Sequence, residues 1–243
     1  YGMADLEHAV PLTTTAVTEA GSVSKQFTAA TILLLEQQGK LSLDDDVHKY
    51  IPELPDYGFT ITLRNMMQHT SGLKDWGSVA AITGWPRSSK TYNNTDALQI
   101  ISRQKTLNHP PGEEYLYSNS NYNLFAIIVE RLSGKSLADF SQEYLFKPAG
   151  MTHTEWRNDF RKVVRNRAIA YSTKNFMYYT DMPNENVYGN GGLLTTAEDL
   201  LAWNNYYLSG KLGQPSLLPQ QLATSKFNNG SMGNYGAGLR VDS

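Results

Sequence analysis

The sequence predicts an α+β protein. Apolar periodicity typical of a helix, closed by a glycine, occurs twice in the interior of the chain, and strand-like segments lie near both ends. The length of 243 residues is enough for one large domain or for two intimately packed subdomains. The predicted apolar helices cover residues 27–35 and 124–132, and the predicted strands cover residues 1–5 and 236–241.

Caps and turn residues predict the remaining elements. Thr62 caps a short helix through Met67, and Thr195-Thr196-Ala197-Glu198 fits a capping box that opens a helix to residue 208. Residues 74–95 are irregular, which is typical of a cleft wall, and residues 152–188 show no clear period. Further helices are predicted at 96–104 and from 136 to about 150, and the Gly189-Asn190-Gly191-Gly192 run predicts a tight backbone passage.

The composition excludes several classes of function. A net charge of −2 gives no basic footprint for nucleic acid, and no apolar run is long enough to span a bilayer. The chain has no cysteine, which excludes disulfides, thiolate metal sites and a cysteine nucleophile. Asp44, Asp45 and Asp46 could suggest a metal site, but a turn and helix start explains them better, because carboxylates favour the positive end of the helix dipole.

Ser22 and Lys25 form the most informative local pattern. They lie in Gly21-Ser22-Val23-Ser24-Lys25-Gln26-Phe27, at the predicted first turn of a helix, where residues three apart share a face. A serine hydroxyl becomes a good nucleophile when a base removes its proton, and a lysine can be that base only when its amine is neutral. The lysine pKa must therefore fall from about 10.4 by about 3 units, through burial or a nearby positive charge.

Ser-x-x-Lys is a weak signal by itself, because Ser71-Gly72-Leu73-Lys74 matches it too. Glycine and the polar residues before it predict a loop at this second match. An apolar helix follows Ser22 instead, so we assign the chemistry to Ser22. For the bare pattern, a capping serine with a solvated lysine is the structural alternative.

Tyr117-Ser118-Asn119 is the second candidate for chemistry. A phenol beside a lysine can relay a proton to a leaving group, and an Asn amide can bind a substrate carbonyl or fix the lysine. Tyr92-Asn93-Asn94 has the same spacing, but Tyr117 lies between a Pro-Pro-Gly turn and an apolar helix, where a loop can be held rigidly. His69 is predicted to be a structural hydrogen-bonding group at a helix end rather than a base in a cleft.

These motifs occur in an order that resembles a known family. They are Gly21-Ser22-Val23-Ser24-Lys25-Gln26-Phe27, His69-Thr70-Ser71-Gly72-Leu73, Tyr117-Ser118-Asn119 and Gly191-Gly192-Leu193-Leu194-Thr195-Thr196-Ala197-Glu198-Asp199-Leu200. The set resembles the serine beta-lactamase-related family of class C beta-lactamases, D-alanyl-D-alanine carboxypeptidases and related esterases. The resemblance covers nearly the whole chain.

The resemblance implies a fold and a set of site residues. The fold would be an antiparallel sheet flanked by helices, with a mostly helical subdomain over about residues 60–185 and the active site between the two parts. Ser22 would be the acylated nucleophile, Lys25 its base partner, Tyr117 the proton relay and Asn119 a contact to the substrate amide. The backbone N–H of Ser22 would supply half of an oxyanion hole.

The resemblance also implies an activity and a location. The expected activity is hydrolysis of an amide or ester through an acyl-enzyme, with no cofactor and no metal. The substrate would be a small molecule or a peptide: a beta-lactam, a D-amino-acid peptide or an ester. The expected location is periplasmic or secreted.

One family motif has no match in the 243 residues. The family carries Lys-Thr-Gly or His-x-Gly on a strand facing the serine, and this motif is expected beyond Ser243. Lys211-Leu212-Gly213 lies too early and is predicted to be a turn. Sheet strands before Tyr1 and after the last residue are expected on the same grounds. The chain is therefore expected to be a fragment of a longer serine hydrolase, and the alternative is a non-catalytic ligand-binding homologue or an inactive fragment.

Overall fold

The computed structural model describes residues 2–241, in which short strands accompany a larger set of helices. The helices are α1 (Ser24–Gln37), α2 (Leu63–Met67), α3 (Trp76–Ile82), α4 (Asn94–Ser102), α5 (Asn119–Ser133), α6 (Leu137–Ser141), α7 (Lys147–Ala149), α8 (Ala197–Leu208) and α9 (Leu218–Leu222). A π-helical turn, Gln142–Phe146, joins α6 to α7, and 3₁₀ turns cover Gly21–Val23 and Val47–Lys49.

The strands form three small antiparallel sheets. They are β1 (Met3–Asp5), β2 (Val10–Pro11), β3 (Thr18–Glu19), β4 (Glu155–Trp156), β5 (Tyr171–Lys174), β6 (Met177–Thr180) and β7 (Leu193–Thr195). β1 pairs with β2, and β5 pairs with β6. β7 lies between β3 and β4, with Thr18 opposite Thr195 and Trp156 opposite Leu193. All three residues of β7 are buried, so this central strand belongs to the core.

Helix α1 is the centre of the core. Ten of its 14 residues are buried, so protein surrounds it on most sides rather than along one stripe. Phe27 lies with its ring 4.6 Å from that of Trp203 on α8 and 5.8 Å from that of Phe146. Helix α1 therefore lies in the interior of the protein, and the rings of Trp203 and Phe146 pack against Phe27 in its first turn.

Helix α5 packs against α1 and α4. It ends at Gly134, whose φ of +69° is the left-handed conformation that a closing glycine supplies. The predicted helix over residues 124–132 is thus confirmed, but it begins five residues earlier. Asn119 is consequently a residue of the first helical turn rather than of a loop.

Several cap predictions are also confirmed. The Thr62 side chain accepts from Asn65 N–H in a capping box. The cap of α8 lies one residue later than the predicted box from Thr195 to Glu198, because the Thr196 side chain accepts from Asp199 N–H. The aspartate run forms a turn and a helix start, since the Asp46 side chain accepts from His48 N–H at the 3₁₀ turn.

Both terminal strand predictions need correction. β1 does cover most of residues 1–5, but its partner is β2 later in the chain rather than earlier sequence; Tyr1 lies outside the described residues. The strand predicted at 236–241 is wrong: this segment bends, with one isolated bridge between Tyr235 and Arg240. The bend packs on α1, where a Cβ at Gly238 would come within 2.6 Å of the Lys25 backbone.

Two of the elements that the sequence analysis missed lie in segments without a clear periodic pattern. The segment 74–95, predicted to be irregular, contains α3, whose N-cap Asp75 accepts from Ser78 N–H. The segment 152–188 contains the β5–β6 hairpin, whose Tyr178 and Tyr179 are both exposed, so its sequence shows no alternation between apolar and polar residues. The helical subdomain over residues 60–185 stays a prediction. None of the helices in residues 2–241 is both long and apolar enough to cross a bilayer.

Candidate active site

The first turn of α1 places Ser22 and Lys25 on one face. Ser22 lies in the 3₁₀ turn that runs directly into α1, and Val23 and Ser24 keep helical backbone angles. The two side chains therefore meet, with Lys25 Nζ 3.3 Å from Ser22 Oγ. Ser22 is exposed, whereas Lys25 is fully buried. An accessible hydroxyl thus lies against a desolvated amine.

Tyr117 approaches the same hydroxyl from the other side. Its phenol donates to Ser22 Oγ over 2.7 Å, and the centre of its ring lies 4.7 Å from Lys25 Nζ. Burial raises the pKa of Tyr117, which outweighs the lowering effect of its hydrogen bond to Ser22. The phenol therefore keeps its proton at neutral pH and can donate it.

Two carbonyl oxygens hold the Lys25 amine in place. Asn119 Oδ1 lies 2.9 Å from Lys25 Nζ, and the backbone carbonyl of Asn190 lies 2.5 Å from it. A neutral lysine amine has two N–H groups and one lone pair. With both N–H groups donated to these two carbonyls, the lone pair is left for the hydroxyl proton of Ser22.

The electrostatic environment makes this neutral form accessible. Burial lowers the pKa of Lys25 to about 7, against an opposing effect of the Asp75 carboxylate and with a smaller lowering effect of the Arg87 guanidinium. Loss of hydration penalises the charged form of a buried amine, which is the physical cause of the shift. A large fraction of Lys25 is therefore neutral at pH 7, as a base requires.

Asp75 fixes the orientation of Asn119. Its Oδ2 accepts from both Asn119 N–H and Asn119 Nδ2, at 2.8 and 2.9 Å, and its Oδ1 accepts from Ser78 N–H at 2.9 Å. With Nδ2 turned toward Asp75, the Oδ1 of Asn119 must face Lys25. Sequence analysis missed Asp75; the only available signal was an aspartate three residues before Ser78, which is the spacing of a helix cap.

His69 supports the tyrosine. Its Nδ1 accepts from Ser118 N–H over 3.1 Å, and its ring centre lies 4.4 Å from that of Tyr117. Burial, with a smaller effect of Lys25, lowers the pKa of His69 to about 3, so the ring is neutral. The predicted structural role as a hydrogen-bonding group is confirmed. The expectation that His69 lies away from the cleft is wrong, because its ring packs against the ring of Tyr117.

The glycine run forms the floor below Lys25. Gly189 has a φ of +100°, and a Cβ there would come within 2.8 Å of Tyr122 O. Thr28 Oγ1 donates to Gly189 O over 2.7 Å, and Asn123 Nδ2 donates to Asn190 Oδ1 over 2.9 Å. The predicted tight backbone passage is confirmed, and it places the backbone carbonyl of Asn190 within hydrogen-bonding distance of the Lys25 amine. A backbone acceptor of this kind carries no signal in the residue type.

The structure thus brings Ser22, Lys25, Tyr117 and Asn119 into one constellation that is able to move a proton from a serine hydroxyl. Ser71, Lys74 and Tyr92, from the competing motif matches, lie outside it. Within residues 2–241, no three His, Asp or Glu side chains converge into a group that could hold a metal ion.

Comparison with known proteins places this site in a family. The Beta-lactamase family model matches residues 1–242. Penicillin-binding protein 4* of Bacillus subtilis is 29% identical over 98% of the chain and 55% of its own length, and the putative penicillin-binding protein PbpX of the same organism is 32% identical over 99% and 58%. A D-aminopeptidase of Cereibacter sphaeroides is 29% identical over 98% of the chain and 46% of its length. The chain therefore spans about half the length of these curated relatives.

Solved structures support the same fold. A penicillin-binding protein from Bacillus halodurans superposes with a TM-score of 0.84 at 23% identity, covering 99% of this chain and 74% of that one. An octameric penicillin-binding protein homologue from Pyrococcus abyssi gives 0.81 at 23% identity, covering 98% and 56%. Because the family model matches almost from end to end and the fold agrees, the protein is a member of the beta-lactamase family.

Proposed function

We propose that the chain is the catalytic part of a serine hydrolase, which cleaves an amide or ester through an acyl-enzyme on Ser22. One observation carries the proposal: the Lys25 amine is buried, has a pKa near 7 and lies 3.3 Å from an exposed serine hydroxyl. The names of the relatives, penicillin-binding protein and D-aminopeptidase, support the same reaction class.

In the proposed reaction, Lys25 Nζ takes the proton of Ser22 as Oγ attacks the substrate carbonyl carbon. The carbonyl oxygen becomes an oxyanion, which the Ser22 backbone N–H stabilises, because the first N–H groups of a helix have no partner within it. The Tyr117 phenol donates a proton to the leaving amine or alkoxide as the C–N or C–O bond breaks. The proton taken up by Lys25 returns to the phenolate, and water then hydrolyses the ester on Ser22.

Asn119 has a positional role in this scheme. Its Oδ1 and one Nδ2 hydrogen are bonded to Lys25 and Asp75, which leaves one Nδ2 hydrogen for a substrate carbonyl. The substrate is proposed to be a small molecule or peptide with an amide or ester bond. The choice among a beta-lactam, a D-amino-acid peptide and an ester depends on the binding surfaces around Ser22.

The test is covalent labelling with a neutral fluorophosphonate, read by intact-protein mass. The chain is expected to gain one adduct, and Ser22→Ala is expected to gain none. Ser71→Ala is the matched control, since it removes the serine of the other Ser-x-x-Lys match and should still be labelled where folded. Peptide mapping of the adduct locates it independently.

A folded chain that takes up no adduct would contradict this proposal and favour the alternative, a non-catalytic ligand-binding homologue. Circular dichroism on the same sample establishes that the chain is folded. We also propose a periplasmic or secreted location, from the family resemblance. Fractionation of the source cells would test it, and an exclusively cytoplasmic pool would refute it.

A further inference from the structure

We propose that four ion-paired residues fix the segments of the candidate site relative to one another, and that the outermost of them, Arg87, is a positioning residue for acylation of Ser22. In spatial order the four are Glu19, Arg157, Glu185 and Arg87, and we call them the ion-pair chain. None of them belongs to a motif singled out in the sequence. The proposal rests on the proposed function, because the reaction that it concerns takes place at Ser22.

Arg157 is the centre of the ion-pair chain. It directly follows β4, and its side chain is only 1% exposed. Its Nε and Nη2 donate to the two carboxylate oxygens of Glu19, over 3.1 and 3.0 Å. Its Nη1 donates to the backbone carbonyl of Glu185, and its Nη2 lies 3.6 Å from Glu185 Oε1. The planar guanidinium therefore holds two acidic residues of different segments in one geometry.

Glu19 connects the ion-pair chain to the serine. It ends β3, which pairs with the buried strand β7. The N–H of the next residue, Ala20, donates to Leu193 O on β7 over 2.9 Å. Only two residues separate Glu19 from Ser22. Side-chain and backbone contacts thus restrain the strand immediately before the proposed nucleophile.

Glu185 begins the segment that supplies the Asn190 carbonyl. Its side chain is buried, and the N–H of the next residue, Asn186, donates to Tyr92 O over 2.7 Å. Further along the same segment, the Asn190 carbonyl accepts from Lys25 Nζ over 2.5 Å. The position of this acceptor therefore depends on where the ion-pair chain holds Glu185.

Arg87 crosses the first turn of α3. Its Nε donates to Glu185 Oε2 over 2.7 Å, and its Nη2 donates to Glu185 Oε1. The guanidinium carbon lies 5.3 Å from the centre of the Trp76 ring. A Cβ at Gly77 would come within 3.2 Å of Arg87 Cδ and within 3.3 Å of Asp75 Oδ1. The absence of a side chain at Gly77 thus leaves room for the Arg87 stem against the turn that Asp75 caps.

Three segments surround the Lys25 amine, and the ion-pair chain contacts all of them. They are β3 before Ser22, residues 185–190 and the first turn of α3. A displacement of about 1 Å between reacting groups can lower a rate about 100-fold. Contacts that join these segments therefore bear directly on the distance from the amine to the hydroxyl, which is 3.3 Å.

Desolvation favours a positional role over a stabilising one. Arg157 and Glu185 are buried, and the attraction within a buried ion pair often does no more than offset the loss of hydration. Apolar side chains of similar volume would often fill such a space with equal or greater stability. The charged groups add a defined geometry, because a guanidinium and a carboxylate form two directed hydrogen bonds.

Arg87 is the member best suited to a test. Its side chain is 41% exposed, and Glu185 keeps Arg157 as a partner when Arg87 is replaced. Burial lowers the pKa of Lys25 most, Asp75 raises it, and the positive charge of Arg87 lowers it further. Three other titratable groups near the amine are neutral at pH 7: Tyr117, Tyr122 and His69. Substitutions at Arg87 can therefore remove its directed hydrogen bonds with or without its charge.

The experiment measures fluorophosphonate labelling across pH 6–9 for two variants. Arg87→Lys keeps the charge but loses the paired hydrogen bonds, so we expect the plateau rate to fall about 5-fold with the wild-type pH midpoint. Arg87→Gln also loses the charge. We expect a similar fall in its rate and a midpoint above that of the wild type, because a nearby cation no longer disfavours protonated Lys25.

Arg64 provides the matched control. It makes the same two-bond contact with Asp44 at the surface, through Nε and Nη2 over 2.8 and 3.1 Å. Arg64→Lys and Arg64→Gln should keep the wild-type plateau rate and midpoint. Urea denaturation of all four variants separates position from stability. If Arg87 only stabilised the fold, its variants would unfold at lower urea concentrations, but their folded chains would label at the wild-type rate.

¹⁵N NMR tests the ion-pair chain without any reaction. The Gly191 N–H belongs to the same peptide group as the Asn190 carbonyl, so its resonance should move in Arg87→Lys and stay in place in Arg64→Lys. Such a shift in a folded chain that takes up no fluorophosphonate would support the ion-pair chain and contradict the serine hydrolase proposal. A wild-type labelling rate in both Arg87 variants, or an unmoved Gly191 resonance, would overturn the ion-pair chain and leave the serine hydrolase proposal standing.

Discussion

The two Ser-x-x-Lys segments have the same spacing and opposite environments. In the first, Lys25 is buried against an exposed Ser22, at 3.3 Å. In the second, Ser71 is buried and donates to Asn121 Oδ1 over 2.7 Å, while Lys74 turns away to Thr106 Oγ1 at 2.8 Å. The geometry of the first segment fits the proposed chemistry, whereas the side chains of the second segment are engaged in structural contacts.

The difference arises in the backbone between the two residues. Val23 and Ser24 are helical, which puts Ser22 and Lys25 on one face. Gly72 has a φ of +74°, where a Cβ would come within 2.1 Å of His109 O, so the chain turns between Ser71 and Lys74. The spacing alone therefore predicts little, and the dihedral angles inside it decide whether the two side chains meet.

Of the substitutions considered, Lys25→Met should have the largest effect on labelling at Ser22. It removes the proposed base while keeping an unbranched apolar stem in the core, so we expect the rate of fluorophosphonate labelling at Ser22 to fall about 10²–10⁴-fold. Time-resolved intact mass measures this rate. Lys40→Met, at an exposed lysine of the same region, should label at the wild-type rate. A wild-type rate in Lys25→Met would contradict the role assigned to Lys25.

The pH dependence of labelling should show a neutral lysine. With a Lys25 pKa of about 7, the rate should rise about 10-fold between pH 6 and pH 8 and then level off. An unperturbed lysine would give a rate that still rises above pH 9.

Linkage predicts a matching change in stability. Between pH 7 and pH 9 the unfolded chain keeps the Lys25 proton and the folded chain releases it, so this group makes the free energy of unfolding rise with pH. Urea titrations across this window measure the slope, and Lys25→Met should lose that contribution. An unchanged slope in the variant would contradict the burial argument.

Asp75→Asn should have an intermediate effect. Asn also caps helices, but one of its two positions is now an NH₂ group, so it cannot accept from both Ser78 N–H and Asn119. We expect the plateau labelling rate to fall about 10-fold. The midpoint of the pH profile should also move below that of the wild type, because the carboxylate raises the pKa of Lys25.

The pH midpoint distinguishes positioning of Asn119 from a loss of stability. A variant that is merely less stable would label more slowly with the wild-type midpoint. Asp44→Asn, at an exposed carboxylate paired with Arg64, is the matched control and should change neither the rate nor the midpoint.

Ser71→Ala should have the smallest effect on labelling and a clear effect on stability. It leaves the buried Asn121 Oδ1 without its donor, which typically costs about 1–3 kcal/mol of unfolding free energy. Urea denaturation measures this loss, and the folded variant should label at the wild-type rate. Ser22→Ala should show the opposite pattern, with labelling lost and stability kept. If both variants lost labelling equally, the two segments would not differ as proposed.

Sequence analysis could identify the four side chains of the candidate site, but it could not identify the groups that hold them in position. Ser22, Lys25, Tyr117 and Asn119 belong to ordered motifs, and the structure brings all four together. Asp75 was missed because α3 is short, and a cap residue looks like any aspartate in a turn. Asn190 was missed because its contact uses a backbone carbonyl.

The fold divides in the same way. A buried helix has apolar residues at helical spacing in its sequence, and α1 and α5 were predicted for this reason. The exposed β5–β6 hairpin has no buried face to produce such a period. The bend at residues 236–241 is imposed by its packing on α1, which is a tertiary contact and therefore absent from any local pattern.

The Asn190 carbonyl has a consequence for mutational scanning of the pocket. Replacing Asn190 by alanine removes the side-chain amide but leaves the backbone carbonyl oxygen that accepts from Lys25. An alanine scan would therefore report the loss of the side-chain amide and not the loss of the acceptor. The sensitive neighbour is Gly189, which makes no contact with the amine but whose φ of +100° and closeness to Ala126 leave no room for a side chain. In such a scan, substitutions at Gly189 would therefore be the damaging ones, although the group that accepts from Lys25 is the backbone carbonyl of Asn190.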